Sequence, residues 1–437
     1  MLFLVITLFL LLIASCFANS GEIISPSVLF SASFFFSSLC ALGNEKRWSL
    51  CLNDKTFFVI SGGVLEFIIV SFIVRSFFKK TCFNKKSRII TSKYYDLQDN
   101  KLLEYKRFSY FLFFIQTIFC FIVARSIEKT TGISNIITAG AYMNATNMPN
   151  FVGNKLNLSK LSLVLMNFNY AAGFFFGFEF LKQLILNNKE KIVFFYNMLI
   201  GILTPLMVGS RGATVYAVIS LYIYYYLLLN EKKNWETPIN IKNFFLIMVV
   251  AALVIFLLPV TAQLFGRQVG NTTEYLSGYI GAEIKNLDMF ITSNVLPIRT
   301  GIFGKETFIN IMQPISHIFD LNIPQYSLDL PFEYINGYGL GNVFTTFYPW
   351  LYDFGYVGVA IMTFIMSFVT EIIYDFARFG NNIYKPALSV LLYGYLASFV
   401  SLSFFSNKFF ENINTSLVYI IFFWILLTKI TLRYNDD

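Results

Sequence analysis

The sequence predicts an all-α polytopic integral membrane protein. Only 13% of its 437 residues are charged, about half the roughly 25% that a soluble chain uses to cover its surface. Apolar residues make up 56% of the chain, with 52 Phe and 26 Tyr, and mean hydropathy is +0.61. They gather in runs of the roughly 20 residues that a helix needs to cross a hydrocarbon core of about 30 Å. A water-soluble enzyme is excluded on these grounds alone.

Eleven runs meet that length. Met1 to Ala18 lacks the positive n-region of a secretory signal and is expected to be a retained span. Pro26 to Gly43, Phe57 to Phe78, Phe108 to Ala124, Leu161 to Leu181, Ile192 to Val208, Gly212 to Leu229 and Asn243 to Ala262 follow. The last three are Phe347 to Ile372, Pro386 to Phe404 and Ile413 to Thr428. The chain thus divides in order into residues 1–262 with eight spans, a long hydrophilic loop over 263–345, and residues 346–437 with three spans. Glu66 lies near the middle of the third span, where an unpaired carboxylate is costly. It is expected to pair with a base, to stay protonated, or to relay a proton. Arg75 is expected to snorkel to the inner end of the same span, and Glu179 to reach the inner interface.

Charge sets the orientation. One alternate set of loops carries 19 Lys and Arg in 81 positions and the other carries 13 in 143, so the denser set is expected to be cytoplasmic. This places the N-terminus outside and the C-terminus inside. The segment Lys79 to Arg107 holds nine basic and three acidic residues, most of the net charge of +8. It reads as an orientation signal touching anionic lipid. At this length it is too short for a nucleic-acid-binding domain. The large loop 263–345 and the segment Arg125 to Lys160 then face outward, and a loop that long is usually functional. Five cysteines form no disulfide framework, and the one histidine, His317, leaves no His-rich metal chemistry.

Several external residues carry candidate chemistry. In Val208-Gly209-Ser210-Arg211-Gly212-Ala213, two glycines flank an arginine at a tight turn that opens a helix. Free amides and a forked guanidinium there suit a phosphate or pyrophosphate. The competing reading is a plain hairpin with a snorkelling arginine. Asp353, about two turns into a span, is either functional or a helix-to-helix hydrogen-bonding group. Arg267 and Arg299 are either anion ligands or solvated surface arginines. His317 is either a general base near neutral pH or a structural histidine.

These residues, in order, resemble the Wzy-type O-antigen or oligosaccharide repeat-unit polymerases. The resemblance rests on the GSRGA turn, on Tyr275 to Ile280 leading to Asn286-Leu287-Asp288, and on Gly341-Asn342-Val343-Phe344-Thr345 followed by Tyr352-Asp353-Phe354-Gly355-Tyr356-Val357-Gly358. It covers about Ile192 to Phe368. It implies a membrane glycosyltransferase of GT-C-like architecture in the bacterial inner membrane, acting on the periplasmic face in lipopolysaccharide and polysaccharide biosynthesis. Its substrates would be undecaprenyl-pyrophosphate-linked repeat units, its partners membrane lipids and a polysaccharide chain-length regulator, and no cofactor, metal or nucleic acid is expected. Arg211 occupies the family's arginine position in the GSRG turn and Asp353 the acid of its DFG-like turn. Arg267 and Arg299 match only the general pattern of external arginines. The resemblance thus implies pyrophosphate or glycan binding by Gly209, Ser210, Arg211, Gly212, Arg267, Arg299 and Asn342, with Asp353 or His317 handling the acceptor hydroxyl. The alternatives are an O-antigen ligase, which shares layout and donor, and a lipid-linked-oligosaccharide flippase or secondary transporter.

Overall fold

The computed structural model describes residues 1–81, 99–146, 156–186, 191–236, 249, 252, 255–256, 259–263, 265, 271–319, 326–380 and 388–432. Residues 82–98 of the basic segment, most of Asn243 to Ala262, and Arg267 lie outside the described residues.

In chain order the helices are α1 (Leu2–Ala18), α2 (Pro26–Gly43), α3 (Asp54–Thr81), α4 (Asp99–Thr131), α5 (Ile136–Thr146), α6 (Lys160–Ile185), α7 (Ile192–Leu203) and α8 (Arg211–Lys232). After them come α9 (Thr272–Ile280), α10 (Ala282–Ser293), α11 (Ile309–Ile318), α12 (Phe347–Phe379), α13 (Leu388–Ser401), α14 (Lys408–Glu411) and α15 (Thr415–Leu432). Strands β1 (Glu333–Ile335) and β2 (Tyr338–Gly341) pair antiparallel between α11 and α12. Among the described residues, six helices are long and apolar enough to cross a membrane: α2, α3, α4, α6, α8 and α12. Four shorter apolar helices cover Leu2–Ala18, Ile192–Val208, Leu388–Ser401 and Thr415–Thr431. The chain is therefore an all-α membrane protein with one small hairpin in its described part.

Two compact units divide the chain discontinuously. The first takes Met1–Cys82, Val269–Tyr374 and Leu396–Thr415, and the second takes Phe83–Gln268, Asp375–Tyr395 and Ser416–Asp437.

Charged and aromatic side chains hold the first unit. Arg75 does not snorkel. It is 4% exposed, donating to Glu22 Oε2 at 2.5 Å and Asn19 Oδ1 at 2.6 Å. The Tyr374 hydroxyl donates to the same Glu22 oxygen, and the Ser71 hydroxyl donates to Glu371. An arginine in an apolar span is costly without a counter-charge, and Glu22, just past the end of α1, supplies one. Glu66 stays half-buried on α3 with no side-chain hydrogen-bond partner among the described residues. Phe30 stacks on Phe67 with ring centroids 4.4 Å apart, and Phe34 on Phe347 at 5.1 Å.

The described part of the large loop is folded. Helix α10 buries Glu283, Lys285, Asn286 and Asp288 together. Asp288 Oδ1 accepts from Asn53 N–H at 2.9 Å and from the Thr56 hydroxyl at 2.7 Å. A carboxylate there meets the unsatisfied amides and positive dipole end that open α3. Lys285 donates to the Ser49 carbonyl at 3.2 Å, and Asn286 Nδ2 donates to the Val343 carbonyl at 2.8 Å. The Asn-Leu-Asp motif thus ties this loop to α3 and to the segment entering α12.

Small residues and neutral polar groups are prominent in the second unit, which also buries a few charged side chains. A Cβ on Gly173 would lie 2.9 Å from the Gly201 carbonyl carbon, and one on Gly201 would lie 2.4 Å from the Asn169 carbonyl oxygen. Helices α6 and α7 therefore touch backbone to backbone, as small residues permit within a membrane. Asn169 Nδ2 donates to the Gln116 carbonyl at 3.1 Å, Asn197 Nδ2 to the Ser109 carbonyl at 3.1 Å, and Trp424 Nε1 to the Ala171 carbonyl at 2.9 Å. Glu179 is 1% exposed, and Lys182 comes to it at 3.4 Å.

Candidate functional site

In the first unit, a cluster of carboxylates, tyrosines and one lysine gathers at the start of α12. Its geometry begins with a break in that helix. Gly355 adopts φ 66°, ψ −155°, a region essentially reserved for glycine, and a Cβ there would come within 3.2 Å of Pro297 Cδ. Where the helical ladder is interrupted, carbonyls of the preceding turn need other donors. Ile298 N–H supplies one, donating to the Tyr352 carbonyl at 2.7 Å. The chain then returns over the same turn. Asp353 accepts from Glu306 N–H at 3.0 Å and Thr307 N–H at 2.7 Å, and the Thr307 hydroxyl donates to the Pro349 carbonyl at 3.1 Å. The Asp353 carboxylate is thus engaged in clamping residues 306 and 307 onto the helix.

That clamp fixes Glu306. Its side chain is 1% exposed, Lys305 Nζ lies 3.6 Å from Oε1, and Asp329 N–H donates to Oε1 at 2.8 Å. Burial pushes the Glu306 carboxyl up to about 7, further raised by Asp353 and Asp329 and offset in part by the Asp329 amide and Lys305. Asp329 is exposed at the rim. The Tyr352 hydroxyl donates to Asp329 Oδ2 at 3.2 Å, and the Tyr348 hydroxyl donates to its carbonyl. Phe290 stacks on Tyr352 at 6.2 Å, and Lys305 Nζ lies 5.5 Å from the centre of the Tyr352 ring. Chemically, the cluster offers one exposed carboxylate, one carboxyl poised near neutrality, one cation and aromatic faces. No group of three or more His, Cys, Asp and Glu able to hold a metal occurs among the described residues.

The GSRGA turn belongs to the second unit. Pro205 lies in the 3-10 turn Thr204–Val208 that ends α7, and Gly209 caps it with φ 73°. Helix α5 presses against this turn so closely that a Cβ on Gly140 would lie 2.5 Å from the Met207 carbonyl oxygen. Ser210 then caps α8 without a side-chain hydrogen bond, Arg211 is half-buried at its first position, and Gly212 is exposed. The Tyr170 hydroxyl donates to the Ala213 carbonyl at 2.7 Å, fixing the start of α8 against α6.

Other predicted residues fall elsewhere. Arg299 is exposed in the first unit, beside the Ile298 anchor, with no ion-pair partner among the described residues. Asn342 is half-buried after β2, next to the carbonyl of Val343 that Asn286 holds. His317 lies in α11, and its side chain is outside the described residues, as is Arg267. The sequence reading did not single out Glu306, Asp329 or Lys305 as a site. The only linear hint was Lys305-Glu306 after Gly304, because residues 306, 329 and 353 share no spacing that a helix or strand would bring together.

No protein-family model, curated protein or solved structure matches this chain. Its chemistry has therefore to be argued from these residues.

Proposed function

We propose that this protein is a membrane glycosyltransferase that joins lipid-pyrophosphate-linked oligosaccharide repeat units, an O-antigen polymerase in type, acting on the periplasmic face of the bacterial inner membrane. The observation that supports it is the Glu306, Asp329 and Lys305 cluster against Tyr352. An exposed carboxylate, Asp329, beside the buried Glu306 and the buried Tyr352 ring, on a loop folded over the end of an apolar helix, suits a sugar hydroxyl presented by a lipid-anchored substrate. In this reading the acceptor hydroxyl attacks the anomeric carbon. The bond from that carbon to the pyrophosphate oxygen breaks, and the hydroxyl proton passes to Asp329 at the rim or to Glu306 beneath it. Asp353 acts as a positioning residue through its hold on residues 306 and 307. From its own helix start in the second unit, Arg211 offers a fixed cation of the kind that suits a pyrophosphate.

A second reading, a flippase or proton-coupled transporter, draws on the buried Arg75, Glu22 and Glu371 group, since intramembrane ionisable clusters mark relays as well as structural locks. Incubating purified protein with a lipid-pyrophosphate repeat unit separates the two. A polymerase yields a ladder of products that Glu306→Gln and Arg211→Ala each reduce by at least tenfold at normal protein levels. Transport of the intact lipid-linked unit across a vesicle membrane without any ladder would sink the polymerase reading.

A further inference from the structure

Helix α4 packs on α5, α6 and α7 and leaves one face open. Only 22% of its apolar window is buried, and Phe114, Ile118, Phe121 and Ile122 are exposed at 63%, 40%, 70% and 39%. With 100° per residue these four lie within one arc of about 100° of the helix surface, and the same arc continues one and two turns further through Arg125 and Lys129. The apolar stripe is therefore tipped by two cations on its own face.

At that tip the start of α6 closes a cleft of about 530 Å³ lined by Phe121, Arg125, Lys129, Ser159, Leu161 and Ser162. Its polar wall is built. Ser159 caps α6, accepting from Ser162 N–H at 3.2 Å, and the two hydroxyls lie 2.8 Å apart. Leu161, 63% exposed, continues the apolar side. Arg125 meets Glu128 at 3.0 Å, but that pair is 77% and 40% exposed and so contributes little. Lys129 has no ion-pair partner among the described residues.

Orientation does not explain these cations. The charge distribution puts this end of α4 outside, where the positive-inside rule calls for none. What the arrangement does match is an amphiphile, with acyl chain along the stripe and anionic headgroup in the cleft. We propose that this cleft is a binding site for an anionic membrane phospholipid, its phosphate held by Arg125 and Lys129 with the Ser159 hydroxyl. The site is independent of the glycosyl-transfer reading, since neither cation belongs to that machinery.

The test is native mass spectrometry of the full-length protein released from vesicles of phosphatidylglycerol or phosphatidylcholine, with titration to read affinity. The protein is expected to retain phosphatidylglycerol over phosphatidylcholine. Arg125→Gln with Lys129→Gln should weaken retention about tenfold, by the attraction that interfacial cations exert on anionic lipid. Ser159→Asp keeps an N-cap for α6 but sets a carboxylate in the cleft, and should weaken retention as much. Excess inorganic phosphate should leave the lipid in place. Equal retention of both lipids, unchanged retention in both variants, or displacement by inorganic phosphate would each overturn the lipid site.

Discussion

The two compact units stabilise their helices by different chemistry. In the first, ionisable groups meet one another: buried Arg75 with buried Glu22 in the helical part, and buried Glu306 with Lys305, beside half-buried Asp353 and exposed Asp329, at the start of α12. In the second, Gly173 lies backbone to backbone against Gly201, and the polar ties around it are neutral amides donating to carbonyls. Both solutions bury polar groups, but the second relies more on neutral ones, although it also buries Glu179 beside Lys182. Reactive carboxyl chemistry is more readily built where charges are already buried and paired. The second unit is suited to rigid packing that exposes a helix start such as that of Arg211.

The contrast can be broken from either side. The largest effect is expected for Arg75→Ala, which leaves Glu22 buried without its cation and should cost about 3–5 kcal/mol. Unfolding in detergent measures this, and Arg75→Met with Glu22→Gln should recover much of the loss. A wild-type midpoint for Arg75→Ala would remove ion pairing as what holds the first unit.

The next effect is a pH dependence. The Glu306 carboxyl rises from 4.5 to about 7 on folding, so the folded form binds the extra proton between those values. Stability must therefore fall as pH rises through that window, by roughly 3 kcal/mol in total. Glu306→Gln should flatten this part of the profile. An unchanged slope in the variant would assign the dependence to another group.

A smaller effect, about 2 kcal/mol, is expected for Gly201→Ala, where the added methyl meets the Asn169 carbonyl at 2.4 Å. Its cost should be the same at pH 5 and pH 7, which sharpens the contrast between the units. Ser159→Ala should cost least, about 1 kcal/mol, by removing the cap of α6; circular dichroism through the unfolding transition follows both variants.

Apolar length made the helices legible. Pro26 to Gly43 coincides with α2, and Leu161 to Leu181 lies within α6. The ends were less so. Helix α4 begins at Asp99 and runs to Thr131, well past the expected Phe108 to Ala124, because a helix need not stop where its apolar run does. Ile192 to Val208 divides into α7 and a 3-10 turn, for which Pro205 and Gly209 are the visible causes. Asp353 stood out as a carboxylate in an apolar run and marks the clamp, whereas the helix break at Gly355 was not singled out. Glu306 and Asp329 looked like ordinary loop acids. Their proximity depends on residues 298 and 306–307 folding back onto α12, a long-range arrangement with no periodic signature. Arg75 and Glu22 were likewise two isolated charges, 53 positions apart, until packing joined them.

The length of α4 has a mechanical consequence. Its stretch Tyr105–Thr131 is 27 residues with charges at both ends, or about 40 Å at 1.5 Å per residue, against a hydrocarbon core of about 30 Å. Such a helix must tilt or protrude. With one face of α4 left open, the surrounding lipid sets how far Arg125 and Lys129 stand above the hydrocarbon. Membrane thickness becomes a variable that this protein registers: longer acyl chains would draw the cations toward the bilayer surface, and shorter ones would lift them into water.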